Sequence, residues 1–285
     1  MKKKVILCPN PYKDCNLSVT LEAKDILERA GVETVVCPEF LDEQPAGIPS
    51  DIRCTDLYDA LPGAALVVSL GGDGTIMHTI RRMIGYDVPV LGVNLGTVGF
   101  LAELERGDLG VLPAAAAGRF TPSLRMMLHI EVERAGTVVF SNYALNDVSL
   151  QGIVQMIHMT VRGDGRKILE FSGDGVVISS PTGSTAYSMS AGGPLVEPEA
   201  ENLIVTPVCA HALAARSFVL SPERVVTVEL GDLRGKAVFS VDGGCFDGQG
   251  GDILRVRKAE YRTMIAHVSE KGFYDIVFEK LRERK

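Results

Sequence analysis

The chain has 285 residues, 46% of them apolar, which excludes a small disulfide scaffold or a disordered tail and leaves material for about two domains of roughly 150 residues. Its net charge is −7 and neither half is net basic, so recognition of nucleic acid or a membrane surface through a basic patch is excluded. Glycine stands out, with 30 residues against a usual share of about 7%.

In chain order, Met1-Lys2-Lys3-Lys4 has the look of the basic end of a signal peptide, but the apolar run that follows ends at Cys8, before Pro9 and Asn10. Val5 to Cys8 therefore reads as a first strand. Leu17, Leu21, Ile26, Leu27 and Ala30 recur at helical spacing, with Ser18 as N-cap and Gly31 as stop, and Thr34 to Cys37 is a second strand. Ala64 to Leu70 and Val88 to Val93 are continuous apolar runs of strand length. Each leads into a glycine-rich turn, and a helix from Thr75 to Ile84 separates them. This βαβ order predicts a three-layer α/β domain, a parallel sheet covered by helices on both faces.

After a short helix over Asp108 to Ala117, stopped by Gly118, the period changes. Leu128, Ile130 and Val132 alternate with His129, Glu131 and Glu133, and Ala135-Gly136 turns the chain into Thr137 to Ser141. Ile157, Met159 and Val161 alternate in the same way before the hairpin turn Asp164-Gly165. Further strands fall at Val225 to Leu230, Ala237 to Val241 and Ile253 to Val256, which describes a mostly antiparallel β domain. A helix over Phe273 to Leu281 returns to the first domain. The expected organisation is an α/β domain of residues 1–124 with 257–285 and a β-rich domain of 125–256, with the active site in the cleft between them.

The six cysteines form no C-x-x-C pair and read as reduced thiols of a cytoplasmic protein. No apolar stretch reaches the roughly 18 residues of a membrane helix. Five scattered histidines and no cysteine pair give no transition-metal cluster.

The glycines gather in three places. Gly71-Gly72-Asp73-Gly74-Thr75 follows a strand and opens a helix, where glycines admit a phosphate and free helix N–H groups attract it. Asp73 would repel that phosphate unless a divalent cation or a substrate hydroxyl stands between, which places it to accept a hydroxyl proton. The alternative is that Asp73 only caps the helix. The second cluster, Gly92 to Phe100, lacks G-x-G-x-x-G spacing, and no P-loop is present; Gly96 and Gly99 could simply shape a strand exit. The third runs from Gly173-Asp174-Gly175 through a buried strand, Val176 to Ser179, into Ser180-Pro181-Thr182-Gly183-Ser184-Thr185-Ala186-Tyr187 and on to Ser190 and Gly193. So many hydroxyls have little to bury and much to offer a polar ligand; a floppy surface loop is the alternative.

With these blocks, the Asn146-Asp147 pair and Pro207-Val208-Cys209-Ala210-His211-Ala212-Leu213 with Arg216, almost the whole chain resembles the NAD kinase family. GGDGT alone is shared with lipid kinases; its combination with the long third block is specific. The resemblance implies that Asp73 takes the proton from the adenosine 2′-hydroxyl of NAD as that oxygen attacks the γ-phosphorus of ATP, with Gly74 against the same nucleotide. Asn146 and Asp147 would hold the adenosine part, and Thr185, Ala186 and Tyr187 the adenine side. Asp174 and Ser190 would lie near the nicotinamide end, and His78, Thr182 and Asp242 complete the expected binding set. Magnesium is expected to arrive on the ATP phosphates with no dedicated protein ligands. A homodimer or homotetramer is implied in the same way.

Four positions depart from the family pattern. His78 stands where Arg or Lys is frequent, and a helix-face histidine is the plain reading there. Ser172 replaces a common basic residue, Gly244 a frequent Gln, and Ala210 a usual Pro. Two other functions share parts of these motifs, a diacylglycerol-type lipid kinase and a non-catalytic NAD-binding sensor.

Overall fold

A computed structural model describes residues 3–39, 52–96, 99–212 and 215–283. Met1 and Lys2 of the basic start, Thr97 and Val98 of the second glycine cluster, and Leu213 of the fourth block therefore lie outside the described residues. In chain order the first elements are β1 (Lys4–Pro9), α1 (Ser18–Arg29), β2 (Glu33–Val36), α2 (Leu57–Ala60), β3 (Ala64–Gly71), α3 (Asp73–Arg82), β4 (Val90–Asn94), β5 (Leu104–Glu105) and α4 (Leu112–Ala116). There follow β6 (Thr121–Arg134), β7 (Thr137–Ala144), β8 (Asp147–Ile153), β9 (Ile157–Gly163), β10 (Arg166–Gly173), β11 (Gly175–Ser179), α5 (Tyr187–Ser190), β12 (Leu203–Val208) and β13 (Phe218–Leu220). The last are β14 (Val226–Leu230), β15 (Lys236–Val241), β16 (Gly244–Gly248), β17 (Ile253–His267) and α6 (Phe273–Glu283).

The chain divides into two units, Met1–Leu124 with Thr263–Lys285, and Arg125–Arg262. In the first unit β1 pairs in parallel with β2 and β3, β3 with β4, and β4 with β5 and with Ile265 near the end of β17. Every residue of β4 is buried, as expected for a parallel strand covered on both faces, and this is why it reads as an unbroken apolar run. The core joins Val5, Leu7, Leu66, Val68 and Leu91 of the sheet to Val19, Ala23 and Leu27 of α1 and to Leu112 and Ala115 of α4.

Two local expectations are corrected here. Ser18 is not the N-cap of α1: Leu17 holds that place at φ 52° without a side-chain bond, and Asp14 reaches in to accept from Val19 N–H and Thr20 N–H, each at 2.9 Å. A carboxylate satisfies two helix donors where a hydroxyl satisfies one. With the helix beginning at Ser18, its buried stripe is Val19, Ala23 and Leu27 at i, i+4, i+8, and Leu21 is exposed. The expected helix over Asp108 to Ala117 is a 3₁₀ turn (Arg106–Val111) continued by α4.

In the second unit β6 pairs antiparallel with β7, and the strands of the two sheets described next are antiparallel as well. One sheet has β9 between β10 and β14, with β14 also on β17; the other has the order β13-β12-β11-β8-β15-β16. Met159, Val161 and Val228 from the first meet Val148, Leu150, Ile178 and Phe239 from the second in one core, a sandwich. The two hairpin turns expected from the sequence have the left-handed backbone that such turns require, Ala135-Gly136 at φ 49° and 80° and Asp164-Gly165 at 48° and 77°. The hydroxyl-rich block is ordered, as a 3₁₀ turn (Thr182–Thr185) followed by α5, so it is not a floppy loop. Among the described residues no helix is long and apolar enough to cross a membrane, and all six cysteines are free.

Candidate active site

In the first unit the expected residues Asp73, Gly74 and His78 all lie on the first two turns of α3. Asp73 does not cap this helix; the N-cap is Gly72, with no side-chain bond. The Asp73 carboxylate turns instead to the end of the second glycine cluster, where Phe100 N–H donates to Oδ2 at 2.6 Å and Leu101 N–H to Oδ1 at 3.1 Å. Gly99 lets this segment come close, since a Cβ there would fall 1.7 Å from Asp73 Oδ1. Each carboxylate oxygen thus accepts one amide and keeps a lone pair for a substrate proton.

His78 Nδ1 lies 2.7 Å from Glu39 Oε2, a carboxylate with no solvent exposure that also accepts from Thr79 Oγ1 at 2.8 Å and Arg82 Nη1 at 3.0 Å. Burial raises the Glu39 carboxyl, but the bonds from His78, Thr79 and Arg82 outweigh it and hold it below the usual glutamate range. Glu39 therefore pins one face of α3 to the chain beyond β2.

The second unit carries the remaining expected residues. Asp242, at φ 44° in the two-residue turn between β15 and β16, accepts from the N–H groups of Leu145 (2.7 Å), Asn146 (3.0 Å) and Asp147 (3.1 Å). It fixes the backbone of the Asn146-Asp147 pair. Burial and the charge of Asp242 push the carboxyl of Asp147 up to about 7.

Ser180 ties the hydroxyl-rich turn to the same pair. Its hydroxyl donates to Leu145 C=O at 2.5 Å and accepts from Gly183 N–H at 3.1 Å, while its own N–H donates to Asn146 C=O at 2.8 Å. Gly183 is required there, because a Cβ would fall 2.1 Å from the Asn146 carbonyl oxygen. Thr185 Oγ1 donates to Thr182 C=O at 3.1 Å, and Ala186 N–H donates to Gly183 C=O at 3.0 Å. The Thr182 hydroxyl is buried without a hydrogen-bond partner among the described residues.

Burial raises the Tyr187 phenol, and nearby Cys209, Asp147 and Asp174 raise it further, so these side chains share one field. The Cys209 thiol is raised by its hydrogen bond to Asp174. Ser190 ends α5 and is exposed. Sequence reading missed Glu39, Ser180, the Phe100 and Leu101 amides and the structural use of Asp242. Only Asp242 left a signal, since Asp-Gly between two strands is a hairpin turn.

Among the described residues no three His, Cys, Asp or Glu side chains group to hold a metal ion.

Family models match the chain twice, the N-terminal domain of ATP-NAD kinases over residues 5–115 and the C-terminal domain over 145–268. An NAD kinase of Acetivibrio thermocellus is 34% identical, covering 99% of this chain and 98% of its own length. One of Syntrophotalea carbinolica is 36% identical, covering 95% and 96%. The fold is that of yeast NADH kinase, solved with NADH (TM-score 0.87, 24% identity, all of this chain and 89% of that one). It is also that of an Archaeoglobus fulgidus NAD kinase solved with ATP (TM-score 0.75, 24% identity, 99% and 100%).

Proposed function

The chain belongs to the NAD kinase family, and from that membership we infer that it transfers the γ-phosphoryl group of ATP to the adenosine 2′-hydroxyl of NAD, giving NADP and ADP. The lipid-kinase alternative shares only GGDGT, whereas the family match extends through the second unit. A non-catalytic sensor would have no use for a carboxylate held as Asp73 is.

The single observation that carries the mechanism is that carboxylate. Two backbone amides orient it at the mouth of α3, leaving lone pairs for the 2′-hydroxyl. The 2′-oxygen forms the new bond to phosphorus as the bond to the ADP oxygen breaks, and the hydroxyl proton passes to Asp73. Alcohols are weak acids, so the proton leaves late and positioning supplies most of the rate.

Asn146 and Asp147, fixed by Asp242, offer acceptors and donors for ribose and adenine edges. Tyr187 offers a ring face, the Thr182 hydroxyl an uncommitted polar atom, and Thr185 and Ala186 the neighbouring wall. Gly74 and His78 serve the acceptor from α3, and Asp174 and Ser190 the nicotinamide end. A divalent cation is proposed with the donor, where phosphate oxygens and water would hold it, as magnesium keeps most of its waters and takes few protein ligands. The six free thiols support a cytoplasmic setting, and assembly into a homodimer or homotetramer rests on family likeness.

The test is Asp73→Asn. NAD binding measured by calorimetry should persist within about threefold while turnover falls by about 10²–10⁴, the range general-base catalysis supplies. Turnover near that of the unaltered protein would remove Asp73 as the base.

A further inference from the structure

The corner between β1 and α1 brings a cation to the GGDGT turn. Asn10 N–H donates to Leu70 C=O at 2.9 Å and Asn10 Nδ2 to Thr75 Oγ1 at 3.0 Å, while Lys13 N–H and Asp14 N–H both donate to Asn10 C=O at 2.9 Å. The corner is thereby fastened to the end of β3 and the first turn of α3. Its Lys13 side chain lies over two glycine turns: a Cβ on Gly72 would fall 2.7 Å from Nζ, and one on Gly96 3.7 Å from it.

The neighbouring carboxylates are engaged elsewhere. Asp14, 1% exposed, bonds the first turn of α1; Asp73 bonds Phe100 and Leu101; Glu105 accepts from Asn94 Nδ2 at 3.1 and 3.2 Å. Lys13 has no carboxylate partner among the described residues. A cavity of about 350 Å³ opens beside it, lined by Lys13, Ser18, Asn94, Gly96, Glu105 and Arg106. An unpaired ammonium against the glycine amides that cap α3 adds its full charge to the partial charge of the helix end, and the ligand that fits this sum is a chain of phosphates.

We propose that Lys13 is a catalytic residue of the transfer, binding the phosphate chain of the donor at the Gly72 and Gly96 turns and offsetting charge on the migrating phosphoryl group. The proposal rests on the NAD-phosphorylation reading and answers the repulsion between Asp73 and a phosphate: Lys13 supplies a counter-charge from the chain itself. The ammonium changes no bond; it acts by position and charge.

The test compares Lys13→Met and Lys13→Arg with the unaltered protein in NADP formation, varying ATP and NAD separately. Lys13→Met should raise the KM for ATP about tenfold and lower kcat by 10²–10³, the cost of removing one electrostatic stabiliser. The KM for NAD and the melting temperature should hold, since Lys13 is exposed, and Lys13→Arg should recover part of the loss. Donor KM and kcat within twofold of the unaltered protein, or equal rises in KM for ATP and NAD, would overturn the proposal. Calorimetric binding of inorganic tripolyphosphate separates the two levels. If the unaltered protein forms no NADP, the family-based function fails, while weaker tripolyphosphate binding to Lys13→Met still supports the phosphate site and equal binding refutes it.

Discussion

Gly99→Ala tests whether the position of one carboxylate governs the rate. No positive φ bars a side chain at Gly99; only space does. The added Cβ would meet Asp73 Oδ1 at 1.7 Å, so that oxygen has to withdraw by about 1.7 Å to regain ordinary contact at 3.4 Å. The withdrawal also breaks at least one of the two amide bonds that orient the carboxylate, each charge-assisted and of order 1.5–3 kcal/mol. A misplacement of about 1 Å in a reacting group costs on the order of 10² in rate. We therefore expect kcat for NADP formation to drop by about 10² or more, with NAD affinity held within about threefold and unfolding stability in urea lowered by about 1.5–3 kcal/mol. Gly107→Ala is the control, since its Cβ enters open space, and its stability should stay within about 0.5 kcal/mol of the unaltered protein. A Gly99→Ala protein that folds and turns over within twofold of normal would refute the argument that this contact sets the carboxylate.

Asp147, raised from an ordinary 3.8 to about 7, makes the fold bind more protons than the unfolded chain between those values, so its contribution to stability falls as pH rises through that window. Asp147→Asn should therefore melt relatively higher than the unaltered protein at pH 8 than at pH 5, and an equal difference at both would contradict the shift. If the carboxylate form accepts the ribose hydroxyls, NAD affinity should climb from pH 6 to 8 in the unaltered protein and lie flat and weak in Asp147→Asn, as read by calorimetry. Glu39→Gln keeps the shape of a fully buried side chain but removes the charge facing Arg82; breaking such a pair costs about 3–5 kcal/mol, and urea unfolding should show a loss of that order. A loss below about 1 kcal/mol would show that Arg82 finds its compensation elsewhere.

What the sequence disclosed followed from periodicity and from glycine. The unbroken apolar runs of β3 and β4 announced a parallel sheet, and alternation in β6 and β9 announced the antiparallel one, because burial on two faces or one dictates those patterns. Asp73 was visible because an acid among glycines at a helix mouth is out of place unless it has work to do. Its real orientation was not visible, since the amides that hold it come from Phe100 and Leu101, backbone groups that no side-chain pattern encodes. Lys13 was lost in a net charge of −7, a global sum that hides a local cation. Ser18 misled for a similar reason: it has cap chemistry at the expected place, but Asp14 reaches the helix end from beyond a left-handed residue at Leu17.

The most direct measurement is incubation of the purified protein with NAD and magnesium-ATP, following NADP with an NADP-specific dehydrogenase and the new phosphomonoester by phosphorus NMR. One 2′-phosphate and one ADP per NAD consumed are expected, with the signal lost in Asp73→Asn. Absence of NADP with ATP, other nucleoside triphosphates and polyphosphate, or transfer of labelled phosphate to diacylglycerol, would contradict that expectation.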